Sequence, residues 1–287
     1  MVLWMEMEQL MTTNFELDSN RKMLVIDGER LMLPPTPESL AFVSNIQHLV
    51  QSEFAMEDIR CVHRHADPDH FFKKIGRLRR KIYLDETYHA LTFGLFEALG
   101  FKKNNIAFDP FRLRAITPVG HLNPAAAPIY FPHRDTWYAH PQSLMVLWIP
   151  LHDVAEDETF VFYPDYFDKP IPNNSEVFDY DQWVKDGPEL KIGWQNASSG
   201  TTATYPRSDI HYDAGKAAGF SCSKASHLLF SGAHYHRTLP LLNDKTRFSI
   251  DVRFVHLDDI KQKIEAPNVD NRSRGSTLKD YVYGSPL

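Results

Sequence analysis

The chain has little of what marks a secreted, membrane-bound or nucleic-acid-binding protein. Only two of its 287 residues are cysteines, Cys61 and Cys222, and they lie far apart in the sequence. This usage argues against a disulfide framework and predicts a reducing, cytoplasmic location. No stretch approaches the ~20 apolar residues that a membrane span needs. The net charge of −6 gives no electrostatic reason to expect nucleic acid as a partner.

The first residues also lack the features of a secretory signal. Residues 1–5 are apolar, but Glu6 and Glu8 follow at once, and no basic segment precedes them. A signal peptide needs a basic start and a longer apolar stretch, so we expect none here.

The chain does contain enough apolar material for one sizeable core. Hydrophobic residues make up 43% of the sequence and aromatic residues 13%. At this length, such a composition suits one domain over residues 1–287. Within it we expect a helical support region at 37–104, a β-rich core at 105–256 and a polar C-terminal tail at 266–287. The tail is either disordered or an arm that covers the site or a neighbour.

The spacing of apolar residues separates a helical N-terminal part from a β-rich remainder. Helical spacing recurs in three runs that begin after Thr36 and end at Gly100. A small strand or hairpin is expected within residues 1–36, from residues 22–27 with Gly28 and then residues 31–35. From Asn105 onward the pattern predicts strands. These strands are expected near residues 106–108, 113–116, 129–131, 146–153, 226–230 and 247–255.

The segment Phe131-Pro-His133-Arg-Asp135-Thr-Trp137 is the first motif that carries chemistry. In a strand, two residues that are two positions apart share one face, so His133 and Asp135 would point the same way. The β-prone residues 129–131 before them favour a strand. A His-x-Asp pair alone is common by chance, and a surface loop is the plain alternative.

The second motif, Leu229-Phe-Ser-Gly-Ala-His234-Tyr-His236-Arg, supplies further imidazoles. Two imidazoles and one carboxylate that leave coordination positions open are the ligand set of a mononuclear non-haem iron(II) site. The sequence therefore predicts such a site from His133, Asp135 and one of the two later histidines.

The predicted strand at residues 247–255 has one polar and one apolar face. Arg247, Ser249, Asp251 and Arg253 share the polar face. A carboxylate ligand would give that face a role, because a guanidinium grips a carboxylate in a bidentate way and the Ser249 hydroxyl adds a hydrogen bond. A solvated face is the alternative. Arg253 shares this face but lies roughly 20 Å further along the strand, too far from the end near His236 to bind one small diacid.

Together these motifs resemble the iron(II)/2-oxoglutarate-dependent oxygenases, and within them the phytanoyl-CoA dioxygenase-like branch. The resembling residues run from 130 to 255, a little under half of the chain. They comprise His133-x-Asp135, the strand at 146–153, His236 and Arg247-x-Ser249. Residues 158–167 and 240–243 depart from the pattern of the branch, so the chain is identified as a divergent member. The long insert at 168–223 is expected to shape the mouth of the pocket.

The resemblance implies a mostly β fold, a double-stranded β-helix or jelly-roll, cupin-like barrel, flanked by helices. It implies Fe(II) held by His133, Asp135 and His236, with 2-oxoglutarate and O2 as cosubstrates. Arg247 and Ser249 would then bind the distal carboxylate of 2-oxoglutarate. Halogenating relatives have Gly or Ala in place of the carboxylate, so Asp135 favours hydroxylation, desaturation or cyclisation.

The implied substrate is a small molecule of specialised metabolism, with neither nucleic acid nor membrane as a partner. Trp137, Tyr138, Trp148 and Arg114 are the expected lining of the substrate pocket. Two other functions stay open at this point. One is a non-haem iron oxidase of the same fold that does not use 2-oxoglutarate. The other is a non-catalytic barrel that binds small molecules. The sequence does not indicate an oligomeric state.

The offset from the distal histidine to the arginine in the branch favours His236 over His234 as the second imidazole ligand. We expect His236→Ala to abolish Mn(II) binding, as His133→Ala and Asp135→Ala should, because each removes one of three ligands. His234→Ala should keep the metal. Calorimetric titration of the purified variants with Mn(II) measures this. Loss of binding in His234→Ala alone would reverse the assignment.

Overall fold

A computed structural model of the chain describes residues 19–187, 192, 205–208 and 216–284. The helices in this part are α1 (Ser19–Ile26), α2 (Pro37–Phe54), α3 (Pro68–Leu84), α4 (Glu86–Ala98), α5 (Tyr180–Asp186) and α6 (Leu257–Gln262). The strands are β1 (Leu31–Leu33), β2 (Ile106–Ile116), β3 (Met145–Pro150), β4 (Phe160–Phe162), β5 (His227–Ser231), β6 (His236–Thr238), β7 (Arg247–His256) and β8 (Val282–Tyr283).

Six of these strands form one antiparallel sheet in the order β1-β5-β3-β7-β2-β8, and β4 pairs with β6 in a second, two-stranded sheet. Strand β7 lies near the centre of the large sheet, between β3 and β2. The expectation of a mostly β fold with a helical N-terminal part is therefore confirmed. The double-stranded β-helix remains a prediction.

The helical layer begins where the sequence provides clear capping signals. Thr36 caps α2, and its hydroxyl accepts a hydrogen bond from the backbone N–H of Ser39. Pro37 occupies the first turn, where its missing N–H costs nothing. Asp67 caps α3 in the same way, through the backbone N–H of His70. Both helices therefore begin at a side chain that satisfies a backbone donor left free at the helix start.

The apolar face of β7 packs against this helical layer. Its four alternate side chains are fully buried in the largest core cluster, together with residues of α2, α3 and α4. The Phe254 ring lies 4.5 Å from Phe96 of α4 and 5.3 Å from Phe101, centroid to centroid. The predicted alternation along this strand is observed, because one face of a strand must be buried when helices cover it.

An aromatic layer separates the other face of the large sheet from the two-stranded sheet. Trp148 of β3 lies 5.5 Å from Phe160 of β4, and Phe230 of β5 lies 5.0 Å from Phe162, between ring centroids. The two sheets therefore face each other. The polar face of β7 lies on this inner side, where Arg247 and other polar residues line a cavity.

Two segments differ from the sequence-based expectation. Of the strand or hairpin expected within residues 1–36, residues 31–33 do form strand β1, but residues 22–27 belong to helix α1 and the turn after it. Val25 and Ile26 are buried while Leu24 is 47% exposed. A short apolar run fits a helix as well as a strand, so its pattern could not decide between them.

The second difference concerns residues 129–131, which were expected to form a strand. Residues 124–130 form a 3-10 helix instead. Prolines at 124, 128 and 132 explain this, because proline has no N–H to donate to a β-ladder.

Among the helices described, none is long and apolar enough to cross a membrane.

Phe254 connects the sheet to the helical layer, so its truncation tests how the core is held together. We expect Phe254→Ala to lower the free energy of unfolding by about 3–5 kcal/mol, because it leaves a cavity between β7 and α4. Leu242, which is 80% exposed, is the matched control. Leu242→Ala should change stability by less than about 0.5 kcal/mol. Urea denaturation followed by circular dichroism measures both, and equal losses would contradict the packing described.

Candidate metal centre

A pair of backbone hydrogen bonds joins His133 to His236. The N–H of each residue donates to the carbonyl of the other, and both bonds are 3.0 Å long. The two residues thus form an isolated antiparallel bridge at the end of β6. Side chains of such a pair lie on the same face, and the two imidazole centroids are 4.5 Å apart.

Asp135 is the first residue of a 3-10 helix, Asp135–Tyr138. With the two histidines it forms a group of three side chains, here called the metal group. The two carboxylate oxygens of Asp135 lie 3.8 Å from His133 Nε2 and 4.0 Å from His236 Nε2. Ligand atoms of the three residues all lie within 4.8 Å of one another. His133 and Asp135 therefore converge as expected, but across a turn and not along a strand.

Backbone carbonyls fix how the two imidazoles point. His133 Nδ1 lies 2.7 Å from the carbonyl oxygen of Phe131, and His236 Nδ1 lies 2.9 Å from that of His234. A carbonyl only accepts, so each Nδ1 donates to it, and Nε2 is the nitrogen of each ring that lies near Asp135. Ligating histidines are oriented by such bonds. Two histidines and one carboxylate form a donor set that fits a divalent metal ion.

His234 lies outside this group. Its ring packs 4.7 Å from Phe167 and 5.3 Å from Phe162, between centroids. Burial holds the pKa of the His234 imidazole well below its usual value. The structure thus places His236, and not His234, beside His133 and Asp135.

Arg253 forms an ion pair with Asp135 that the sequence reasoning missed. Its Nε and Nη2 donate to Asp135 Oδ1 at 3.0 and 2.7 Å. Burial alone would raise the pKa of the Asp135 carboxyl, but Arg253 and the two imidazoles lower it below its usual range. Distance along β7 had set Arg253 apart, but the sheet register places it in one row with Val146 of β3 and Phe230 of β5, and Phe230 packs against His236. The position of Arg253 on the polar face of β7 was the available signal.

Arg247 and Ser249 lie on the same polar face, with donors that have no partner among the described residues. Arg247 is 2% exposed and Ser249 is fully buried. Arg247 Nε and Nη1 and the Ser249 hydroxyl make no hydrogen bond within the described residues. The guanidinium carbon lies 5.9 Å from the centroid of Trp148, and burial lowers the pKa of Arg247 to about 10. Buried donors without partners are costly, so this arrangement suits an anionic ligand.

One cavity connects these elements. It is lined by His133 and His236, by Arg253 beside them, and by Arg247. Tyr138, Trp148 and Arg114, which were expected in the substrate pocket, also line it. The insert at 168–223, which lies partly outside the described residues, contributes Phe178, Tyr180, Trp183 and Tyr205.

Trp137 is the exception among the expected pocket residues. It is fully buried away from the cavity, and its indole N–H donates to Asp270 at 2.8 Å. The same carboxylate accepts from Arg134 Nε at 3.0 Å. Trp137 therefore anchors the C-terminal segment against the residues that flank Asp135. Nothing in the local sequence pairs Asp270 with Trp137, so this role could not be predicted.

The C-terminal segment also reaches the cavity wall. Thr277, which lines the cavity, hydrogen-bonds through Oγ1 to His140 Nδ1 at 2.8 Å. Tyr281 hydroxyl lies 2.8 Å from the same nitrogen. Residues 266–284 therefore lie as an arm against the site, as one of the two alternatives for the tail has it.

The chain is similar in structure to several solved proteins at low sequence identity. EvdO2 from Micromonospora carbonacea var. aurantiaca complexed with 2-oxoglutarate is 14% identical, with a TM-score of 0.49 over 84% of this chain and 91% of that one. The epimerase SnoN in complex with Fe3+, alpha ketoglutarate and nogalamycin RO is 12% identical, with a TM-score of 0.42 over 83% of each chain. The non-heme monooxygenase ThoJ in its Ni complex is 11% identical, with a TM-score of 0.39 over 82% and 76%.

No protein-family model matches the chain, and no curated protein matches it. At identities of 14% or less and TM-scores below 0.5, the structural similarity does not assign a function. Any assignment of function therefore rests on the residues of the chain itself.

The Arg253–Asp135 pair makes a prediction about the metal-free protein. Arg253→Gln leaves a buried carboxylate uncompensated, so we expect a loss of about 3–5 kcal/mol in the free energy of unfolding. The double variant Asp135→Asn/Arg253→Gln should recover part of this loss. Mn(II) should stabilise Arg253→Gln more than the wild type, because a bound cation replaces the missing charge. Urea denaturation with and without Mn(II) measures these effects, and additive single losses would refute the pairing.

Proposed function

We propose that the protein is a non-haem iron(II)/2-oxoglutarate-dependent oxygenase that hydroxylates, desaturates or cyclises a small molecule, on a double-stranded β-helix. One observation carries the proposal. The cavity that His133 and His236 of the convergent group line is also lined by Arg247, whose Nε and Nη1 have no partner among the described residues, and Ser249 lies beside Arg247 on the same strand face. A metal group and a separate carboxylate anchor are what a chelating diacid cosubstrate requires.

In this proposal the metal is held by Nε2 of His133, Nε2 of His236 and the carboxylate of Asp135. Three protein ligands leave positions open for the cosubstrate and O2. Bound iron(II) supplies O2 activation coupled to the conversion of 2-oxoglutarate to succinate and CO2. Arg253 holds Asp135 Oδ1 and leaves Oδ2 on the side of His236. The orientation of the carboxylate is therefore set before the metal arrives.

Arg247 and Ser249 bind the distal carboxylate of 2-oxoglutarate. The guanidinium offers two donors, Nε and Nη1, and the hydroxyl of Ser249 offers a third. Charge-assisted hydrogen bonds are strong in a buried site, since no water competes for the acceptor. A carboxylate at this place would also satisfy donors that otherwise cost free energy through burial.

The aromatic layer around the metal group excludes water and limits where a substrate can lie. Phe160 and Phe230 lie 5.6 and 5.7 Å from His236, and Tyr138 lies 5.4 Å from His133, between ring centroids. Such walls hold one C–H bond near the metal and protect reactive species from solvent.

Uncoupled turnover tests this function without knowledge of the substrate. Protein is loaded anaerobically with Fe(II) and 2-oxoglutarate, O2 is added, and succinate and CO2 are measured. We expect both products in equal amounts, and His133→Ala should yield neither. Metal binding without 2-oxoglutarate binding would favour the oxidase that does not use 2-oxoglutarate. Failure to bind any metal would favour the non-catalytic barrel.

The arginine anchor makes a quantitative prediction. Arg247→Ala removes two charge-assisted hydrogen bonds of about 1.5–3 kcal/mol each, so the affinity for 2-oxoglutarate should fall about a hundredfold or more. Mn(II) affinity should be retained because no metal ligand is lost. Arg247→Lys should restore only part of the affinity, since an ammonium lacks the planar fork. Calorimetric titration of the Mn(II)-loaded protein measures this, with Arg64→Ala on the exposed surface as control.

Unchanged affinity for 2-oxoglutarate in Arg247→Ala would refute the anchor. It would also remove the main support for 2-oxoglutarate as cosubstrate.

A further inference from the structure

A buried arginine lies between two members of the metal group in the sequence. Arg134 separates His133 from Asp135, and its backbone is extended, with φ −107° and ψ 141°. In extended backbone a side chain points away from the side chains of its two neighbours. Arg134 is only 2% exposed. Its guanidinium therefore lies inside the protein, behind the segment that carries two of the three candidate ligands.

The guanidinium of Arg134 uses all five of its N–H donors. Its Nε donates to Asp270 Oδ2 at 3.0 Å. The other four donors meet backbone carbonyls, which belong to Ala233, Phe167, Tyr166 and Lys169. Among these five acceptors only Asp270 carries a negative charge. Asp270 therefore compensates the charge of a guanidinium that would be costly to bury alone.

One of the four carbonyls connects Arg134 to the third member of the metal group. Ala233 lies in the turn between β5 and β6, three residues before His236. The carbonyl of the next residue, His234, orients the His236 ring. Arg134 thus ties the segment 133–135 to the turn that leads to His236. A displaced guanidinium would shift one segment relative to the other.

Asp270 also contacts the short helix that Asp135 begins. Its Oδ1 accepts from the indole N–H of Trp137, two residues after Asp135, at 2.8 Å. Its Oδ2 accepts from the backbone N–H of Ile171 at 3.0 Å, in addition to Arg134. The Asp270 side chain is 4% exposed. Residues on both sides of Asp135 are therefore bound to one buried carboxylate.

Arg253 and Asp270 act on different parts of Asp135. Arg253 binds the Asp135 carboxylate itself, whereas Asp270 holds residues before and after it in the chain. The candidate ligand atoms all lie within 4.8 Å of one another. A site of this kind works only when each side chain is held to within about 0.5 Å. The position of the Asp135 backbone therefore matters as much as the orientation of its carboxylate.

We propose that Asp270 is a positioning residue for the metal group. Through Arg134 and Trp137 it holds the backbone of Asp135 where the carboxylate faces both imidazoles. The proposal rests on the metal-binding part of the proposed function and not on its cosubstrate. It gives a role in the site to the C-terminal arm, residues 266–284, which contributes none of the three candidate ligands.

The Mn(II) affinity of Asp270→Asn tests this role. The amide keeps one oxygen, but its NH2 group cannot accept, and Arg134 loses its charged acceptor. We expect the affinity to fall about tenfold or more, as it typically does when a group that supports a metal ligand is removed. The electron paramagnetic resonance spectrum of bound Mn(II) should also change, because the ligand geometry changes. Calorimetric titration and spectroscopy of the folded variant measure the two effects.

Asp259→Asn is the matched control. Asp259 is a buried aspartate, 1% exposed, and it lies on α6 and pairs with Lys22 of α1. Its replacement removes a buried ion pair outside the metal group. Urea denaturation should show a loss of stability in both variants. Asp259→Asn should nevertheless keep the Mn(II) spectrum of the wild type and an affinity within about twofold, because distant sites act independently.

Trp137→Phe is the milder variant, and it decides if Asp270→Asn does not fold. It removes one hydrogen bond to Asp270 and keeps an aromatic ring in the core. We expect the Mn(II) affinity to fall by about threefold, since one of the contacts that transmit the effect is lost.

Wild-type affinity and spectrum in folded Asp270→Asn, or in Trp137→Phe where Asp270→Asn does not fold, would overturn the proposal. An equal loss of affinity in Asp259→Asn would also overturn it, because the effect would then follow from stability alone. Failure of the proposed function gives a different result. Wild-type protein that binds Mn(II) but forms no succinate, with the difference between the variants kept, rejects the oxygenase and leaves the role of Asp270. Wild-type protein that binds no Mn(II) rejects both.

Discussion

The candidate site depends on the two backbone hydrogen bonds that His133 and His236 exchange. They hold together two segments that are far apart in the sequence, and they place both imidazoles on one face. A short bridge can do this reliably because its geometry fixes the direction of both side chains. The carbonyls of Phe131 and His234 then set the proton on each Nδ1. The site is thus positioned by main-chain atoms, which are stiffer than side chains.

Strand β7 connects the stability of the fold to the chemistry of the cavity. One face of the strand is fully apolar and packs on the helices, while the other presents Arg247, Ser249, Asp251 and Arg253 to the interior. The central place of β7 in the sheet keeps this polar face from solvent. Burying an unpaired charge costs free energy, and an ion pair offsets part of that cost. Arg253 is paired with Asp135, whereas Nε and Nη1 of Arg247 have no partner among the described residues.

Much of this arrangement could be predicted from sequence because it follows simple periodicity. The alternation along β7, the helices that begin after Thr36 and Asp67, and the pairing of His133 with Asp135 are all local patterns. The choice of His236 over His234 agrees with the geometry, although its role as a ligand remains a prediction.

The rest could not be predicted because it depends on long side chains and distant segments. Arg253 contacts Asp135 because its end of β7 lies in one row with Phe230, which packs on His236, and a distance counted along one strand does not show which end faces the metal residues. Trp137 turns away from the cavity because Asp270, in the C-terminal segment, accepts its indole N–H. The prolines around residue 128 turn the β-prone run at 129–131 away from a strand, because proline cannot donate to a β-ladder.

The central claim is that one cavity holds both a metal group and a separate carboxylate anchor. A crystal structure of the protein with Mn(II) and 2-oxoglutarate tests it most directly, with anomalous scattering used to locate the metal. The account predicts Mn(II) bound by His133, Asp135 and His236, with the distal carboxylate of 2-oxoglutarate on Arg247 and Ser249. A metal bound elsewhere, or a distal carboxylate held by Arg253, would contradict it.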